Sequence, residues 1–170
     1  MKTLTKIYLA KIIYNFLIFI GINKNLKVRR KNIKWNLDLS EAVDLSIFLT
    51  GAFQYSLTKS ILNLIGKIKN NKKINIIDIG SNIGDKSILI SREILKKKRS
   101  NFQIYSIEPT DFAFKKQIKN IKLNPFLKRK IWSFKNFISN KKQKKREVYS
   151  SWNLGKKHQQ THKIHGGTLK

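Results

Sequence analysis

The stretch from Ile74 to Glu108 constrains the fold more than any other part of the chain. Ile74-Asn75-Ile76-Ile77-Asp78-Ile79 is a short, nearly continuous apolar run that ends in a glycine turn, Gly80-Ser81-Asn82-Ile83-Gly84. Residues Asp85 to about Lys98 then place Ile88, Leu89 and Leu95 on one side of a helix, and a second run, Phe102 to Ile107, ends at Glu108-Pro109. Short apolar runs rich in β-branched residues and bounded by turn formers read as strands covered on both faces. Strand, turn, helix, strand is a βαβ unit, which requires parallel pairing and a right-handed crossover. The expected fold class is therefore α/β.

The flanking segments extend this pattern. Phe112 to Leu123 reads as a helix stopped by Asn124-Pro125, and Lys130 to Ile138 as a third strand or edge segment. Upstream, residues 1–22 read as one helix, and Lys27 to Lys34 as a basic, turn-like connection into Trp35-Asn36-Leu37-Asp38-Leu39. Ser40 is the expected N-cap of the next helical turn, with Glu41 and Asp44 favouring its positive end. From Phe53 to Lys69 the spacing of Leu57, Ile61, Leu64, Ile65 and Ile68 predicts a helix with one buried face, broken by Asn70-Asn71-Lys72-Lys73. Beyond Ser139 the apolar period fails: Lys141 to Arg146 is almost unbroken positive charge.

Composition removes several kinds of chemistry. Cysteine is absent, which excludes disulfides, thiolate metal sites and cysteine nucleophiles. His158, His162 and His165 fall in a polar, glycine-containing stretch that reads as a solvated loop, so no metal site is expected. The formal net charge of +28 admits a polyanion or an anionic membrane surface as partner. The excess is mostly lysine and accompanies abundant isoleucine and asparagine, residues of A/T-rich codons, so base composition is sufficient to produce it and nucleic acid is not the favoured partner. The apolar run Ile7 to Ile22 is interrupted by Lys11 and Asn15 and falls short of a membrane span, and no small-residue cleavage site follows it. The expectation is a cytoplasmic chain whose N-terminal helix is a candidate for peripheral membrane contact.

The residues that carry chemistry gather where the two strands end. Glycines at such a turn adopt backbone angles closed to other residues and let the main chain approach a ligand, while amides of the following helix face it. A carboxylate at the end of the next strand, Glu108, is placed to accept hydrogen bonds from the hydroxyls of a ribose. The pattern is not the dinucleotide fingerprint, because Asn82 occupies its middle glycine position, and no Gly-Lys-Ser/Thr follows as in a P-loop. A nucleoside-containing cofactor outside the carboxyl ends of parallel strands is the favoured reading, and a tight strand-to-helix connection with no ligand is the alternative.

With those residues on the page, a family resemblance becomes specific. Ile76-Ile77-Asp78-Ile79-Gly80-Ser81-Asn82-Ile83-Gly84-Asp85 resembles the first motif of the FkbM-type S-adenosylmethionine-dependent methyltransferases, which usually have alanine where Ser81 stands. Tyr105-Ser106-Ile107-Glu108-Pro109, with Phe112, Phe114, Asn120 and Asn124-Pro125, is similar to the second motif and its helix. Trp35 to Ser40, Gly51-Ala52-Phe53 and Tyr149-Ser150-Ser151-Trp152 resemble further segments of that family, so the likeness runs from about Arg29 to the C-terminus. The resemblance implies an incomplete Rossmann-like methyltransferase fold. Its expected parts are a helical lead-in over 1–70, a partial S-adenosylmethionine-binding domain over 71–140 and a basic, irregular tail over 141–170. It also implies that Gly80, Asn82 and Gly84 line the methionine end of S-adenosylmethionine, that Asp78 holds its amino group, and that Glu108 binds the ribose. Asp85 is expected to cap the following helix, and Trp152 to anchor packing.

Family members continue with further strands that complete a seven-stranded sheet. The resemblance thus implies a truncated or split product, inactive alone or completed by a second chain, with Ile74 to Ile79 left as an apolar edge. The implied reaction is O-methylation of a sugar or other small metabolite, and no catalytic base is identifiable. The competing expectation is a basic RNA- or membrane-surface-binding protein in which the βαβ unit is only scaffold.

Overall fold

The structure, a computed structural model, describes residues 3–140, 147–148, 154 and 167–168. These fall into two compact units, one running to Phe53 and taking in Leu154, the other running from Gln54 to Val148 and taking in Gly167 and Thr168.

The first unit begins with α1 (Thr3–Phe19), which ends at the positive-φ Gly21. Strands β1 (Asn25–Arg30) and β2 (Ile33–Asp38) then form an antiparallel hairpin. The basic connection expected over Lys27 to Lys34 is thus corrected to strand and turn. Lys31 and Asn32 both take positive φ, as a two-residue hairpin turn demands, with Asn in a tolerant position and Lys in a strained one. The pairing is organised by the alternation of Ile33, Trp35, Leu37 and Leu39, all buried. They share the core of this unit with Val43, Leu45 and Ile47 of α2 (Ala42–Thr50). Ser40 does not cap α2. The cap position belongs to Glu41, which makes no side-chain cap bond, while the Ser40 amide and hydroxyl donate to Asp38 Oδ1 at 3.0 and 2.6 Å. Asp44 Oδ2 in turn accepts the Asp38 amide at 2.6 Å. The side chains before α2 therefore shape the exit from β2, which is a different use of the same residues.

The second unit is α/β. Helix α3 (Tyr55–Gly66) leads to β3 (Ile74–Ile79), α4 (Asp85–Lys96), β4 (Phe102–Ile107), α5 (Asp111–Lys122), a short 3-10 turn (Pro125–Leu127) and β5 (Ile131–Phe134). The three strands form one parallel sheet in the order β3-β4-β5, the arrangement of a Rossmann-like half. Glu147–Val148 and Gly167–Thr168 add a two-stranded antiparallel pair, β6 and β7.

Right-handed crossovers that step in one direction put both helices on the same face of a sheet. Ile74, Phe102, Ile104 and Ile131 are buried on that face beneath α4 and α5. The opposite face carries Ile77, Ile79, Tyr105, Ile107, Trp132 and Phe134, paired row by row across the strands. Ile77 and Ile79 are 65% and 63% exposed, so β3 is covered on one face and not on two as its apolar run predicted. Tyr105 meets Trp132 edge-on at 5.5 Å and stacks on Phe134 at 6.5 Å across that open face. Helix α3 is also turned from its expected orientation: it buries Thr58 and Ile65, while Leu57, Leu64 and Ile68 remain exposed.

Arg99 fixes the loop that joins α3 to β3. Its guanidinium, almost fully buried, donates to the carbonyls of Ile65, Ile68, Lys69 and Lys72 at 3.4, 2.8, 2.8 and 3.1 Å, gathering four carbonyls at and beyond the helix end. A lysine has one donor centre and cannot reproduce that fork. Arg99→Ala is expected to lower stability by about 3 kcal/mol, with Arg99→Lys recovering less than half of the loss. Urea denaturation followed by circular dichroism measures both.

Candidate functional site

The turn between β3 and α4 is assembled from four elements of the second unit. Gly80, Asn82 and Gly84 take positive φ of 74°, 50° and 83°, so the chain reverses tightly between strand and helix. The amides of Gly80 and Ser81 both donate to the Ile107 carbonyl at the end of β4, at 2.9 and 3.0 Å. Glu108, one residue on, is buried and completes the attachment: Oε2 accepts the Asn82 amide at 2.8 Å, and Oε1 accepts the Thr110 amide and hydroxyl at 2.9 and 2.6 Å. The acid and the glycine turn singled out in the sequence therefore meet. A carboxylate offers about four acceptor positions, of which these bonds occupy three, leaving one on Oε2.

The two turn glycines that were expected to line a ligand differ in surroundings. A Cβ at Gly80 would meet nothing within 4 Å, so its backbone is open to close approach from outside. A Cβ at Gly84 would press on Gln117 Cγ at 3.0 Å and Ile88 Cδ1 at 3.4 Å, so this glycine is required by the packing of α5 against the turn. Asn82 lies between them, half-buried, in a left-handed conformation that Asn tolerates better than most residues.

Asp78, at the end of β3 on the helix-covered face, accepts the Ser87 hydroxyl at 2.6 Å. Burial pushes its carboxyl above the usual carboxylate range, against the pull of hydrogen bonds from Ser87 and of the Lys86 ammonium. Asp85 is the first residue of α4, and its Oδ2 accepts the Lys86 ammonium at 2.8 Å. Burial raises its carboxyl too, with Lys86 opposing and the nearby Asp78 charge adding to the rise. Three of the nine acids in this strongly basic chain, Asp78, Asp85 and Glu108, thus surround one turn. Three carboxyl groups are gathered there, one of them paired with the Lys86 ammonium.

Beneath the turn runs a buried polar network. The Ser87 hydroxyl also contacts that of Ser106 at 2.9 Å, Gln117 donates to Ser106 and at 3.4 Å to Ser133, and the Ser81 hydroxyl donates to Gln117 Oε1 at 3.2 Å. Asn120 donates to the Ile83 carbonyl at 3.2 Å. Gln117 was not anticipated from sequence. The signal for it is the stripe Ala113, Gln117, Asn120, Ile121, Asn124 on the buried side of α5 and its exit, where two turns of apolar side chains would be expected.

Among the described residues no group of three or more metal-ligating side chains comes together, and no helix is long and apolar enough to cross a membrane. His158, His162, His165, Trp152 and the run Lys141 to Arg146 lie outside the described residues. No protein-family model matches the chain, and no curated protein matches it. A solved structure from Pyrococcus horikoshii, named a putative transferase, is similar at a TM-score of 0.43 and 15% identity over 74% of this chain and 46% of that one. The chain thus spans less than half the length of that protein.

Gly84→Ala combines a left-handed backbone with a 3.0 Å collision and is expected to cost about 2 kcal/mol or more, whereas Gly80→Ala carries only the backbone term of about 1 kcal/mol. Thermal denaturation of the two variants gives the ranking directly.

Asp78 and Asp85 bind protons on folding between the ordinary value of 3.8 and their raised native values, so their contribution to stability falls as pH rises through that window. Asp78→Asn keeps an oxygen acceptor for Ser87 but carries no charge. It is expected to raise the unfolding midpoint at pH 7 and to flatten this part of the pH dependence, as measured by melting curves from pH 4 to pH 8.

Proposed function

We propose that the second unit binds S-adenosylmethionine and is the cofactor-binding part of a methyltransferase of the FkbM type. The observation that carries this reading is the meeting of the glycine turn with three carboxyl groups, Glu108 bonded to the Asn82 amide among them. A glycine turn leading into a helix ordinarily suits phosphate, but Asp78, Asp85 and Glu108 would repel a phosphate and attract a cation. S-adenosylmethionine is a nucleoside without phosphate that carries a sulfonium and an ammonium, and the donor set fits it. The open backbone at Gly80 accommodates the methionine moiety beside Asn82, and Asp78 faces its ammonium. Glu108 accepts one ribose hydroxyl at its remaining Oε2 position, and a second hydroxyl displaces that of Thr110 from Oε1. Gly84 closes the turn on the same side, and the packing of Gln117 keeps its position free of a side chain.

The cofactor supplies a methyl group on a positively charged sulfur. Transfer requires an acceptor oxygen in line with that group and a base for the acceptor's proton. A hydroxyl of a sugar or small metabolite is the acceptor class we infer, by the motif resemblance. The acceptor wall and the base come from polypeptide that lies against the exposed face and edge of β3. Ile77, Ile79, Tyr105 and Trp132 provide the apolar surface for it.

Isothermal titration of the full chain with S-adenosylmethionine, S-adenosylhomocysteine, ATP and NAD tests the cofactor. Binding of the first two is expected, weakened roughly tenfold or more by Glu108→Gln and by Asp78→Asn, with no binding of the phosphate-bearing nucleotides. Tighter binding of ATP or NAD than of S-adenosylmethionine, or none of S-adenosylmethionine, would overturn the assignment.

A further inference from the structure

Helix α1 exposes an apolar stripe. At 100° per residue, Tyr8, Ile12, Phe16 and Phe19 fall on one line of the helix, flanked by Leu9 and Ile20. All six are exposed, Phe19 to 87% and Tyr8 to 68%, while Leu17 on the other side is buried in the unit. A contiguous exposed stripe of large apolar side chains ordinarily marks a contact surface, so this one calls for a cover.

Charge in the same unit says what kind. Its acids among the described residues are Asp38, Glu41 and Asp44; Glu41 and Asp44 are buried, and Asp38 is engaged by Ser40 and by Lys24 at 3.7 Å. Its exposed charges are Lys6, Lys24, Lys27, Arg29, Lys31 and Lys34, all positive, most of them on the β1–β2 hairpin. A second copy would bring the same cations against these. A nucleic acid would satisfy the cations and leave the phenylalanines in water. An anionic lipid surface satisfies both, with acyl chains for the stripe and headgroups for the lysines. At 17 residues the helix is about 25 Å long, shorter than a hydrocarbon core of about 30 Å, and Leu17 ties one side of it to the protein.

We propose that the first unit docks on anionic bilayers, with α1 lying in the plane of the interface and Tyr8, Ile12, Phe16 and Phe19 immersed. The observations behind it lie outside the β3–α4 turn, so it stands or falls independently of the cofactor assignment.

The absence of cysteine allows a single attachment site for a polarity-sensitive fluorophore. The full chain labelled at Phe19→Cys, and a control labelled at Lys97→Cys, would be mixed with phosphatidylcholine vesicles with and without phosphatidylglycerol. The expected result is sedimentation with the anionic vesicles and a blue shift of the label at position 19 alone. Phe16→Ser with Phe19→Ser in the unlabelled chain should lower partitioning roughly tenfold or more. Lys27→Gln, Arg29→Gln and Lys34→Gln together should lower it by a similar factor and weaken its salt dependence. All these side chains are exposed, and an unchanged circular dichroism spectrum verifies that each variant folds. Three results overturn the proposal: adsorption to anionic vesicles without a blue shift, which is electrostatic attraction alone; RNA binding with no vesicle binding; or a lipid-free dimer that the paired phenylalanine substitutions dissociate.

Discussion

The bond from the Asn82 amide to the Glu108 carboxylate, with the paired amides of Gly80 and Ser81 on the Ile107 carbonyl, is the constraint from which the second unit takes its order. The left-handed backbone of Asn82 and the ordering of two flexible glycines beside it cost conformational energy that local sequence does not recover. The cost is offset because the turn is stitched to the end of the neighbouring strand by three hydrogen bonds, one of them to a buried charge. With the turn held, α4 starts at Asp85 in the direction that returns it over the sheet, and Gly84 leaves the space that Gln117 fills. The parallel pairing of β3 with β4 and the packing of α5 thus meet at one junction.

That junction also sets stability against recognition. Buried carboxylates at Asp78 and Asp85 are held with one ammonium between them, an arrangement less favourable to the empty protein than neutral side chains would be. Sites of this kind keep their acids where a ligand charge completes the balance. The Ser87, Ser106 and Gln117 network beneath them bonds to Asp78 and to the turn and fixes side-chain orientation there.

Much of this was legible in the chain. Strands β3 and β4, helix α5 and the encounter of Glu108 with the glycine turn follow from apolar runs and their punctuation, because a βαβ unit leaves few alternatives. The hairpin of the first unit was not read, although Ile33, Trp35, Leu37 and Leu39 alternate cleanly; the lysines and arginines between them resembled a connection, and a Lys-Asn turn lacks the glycine that usually announces a hairpin. Ser40 had the right chemistry for a cap but lay within reach of Asp38, which claimed it. The stripe on α3 pointed to burial, yet spacing reports that apolar residues share a face and not which neighbour covers it. For the same reason the apolar run of β3 concealed that only one of its faces is packed: strand composition does not count the helices on each side. Gln117 was hidden because an amide on a buried stripe is recognised only once the serines it bridges are close to it.

The one-sided sheet gives the protein's surplus charge a colloidal meaning. Among the described residues the sheet leaves an apolar face exposed beside an unpaired strand edge, a template on which copies of the chain add to one another. A net charge of +28 makes each copy a strong mutual repellent, and that repulsion acts before the faces can touch. Such protection is only as long-ranged as the ionic atmosphere allows, about 10 Å at 0.1 M salt and about 3 Å at 1 M. Dispersal of the chain in solution is accordingly a property of the medium as much as of the fold.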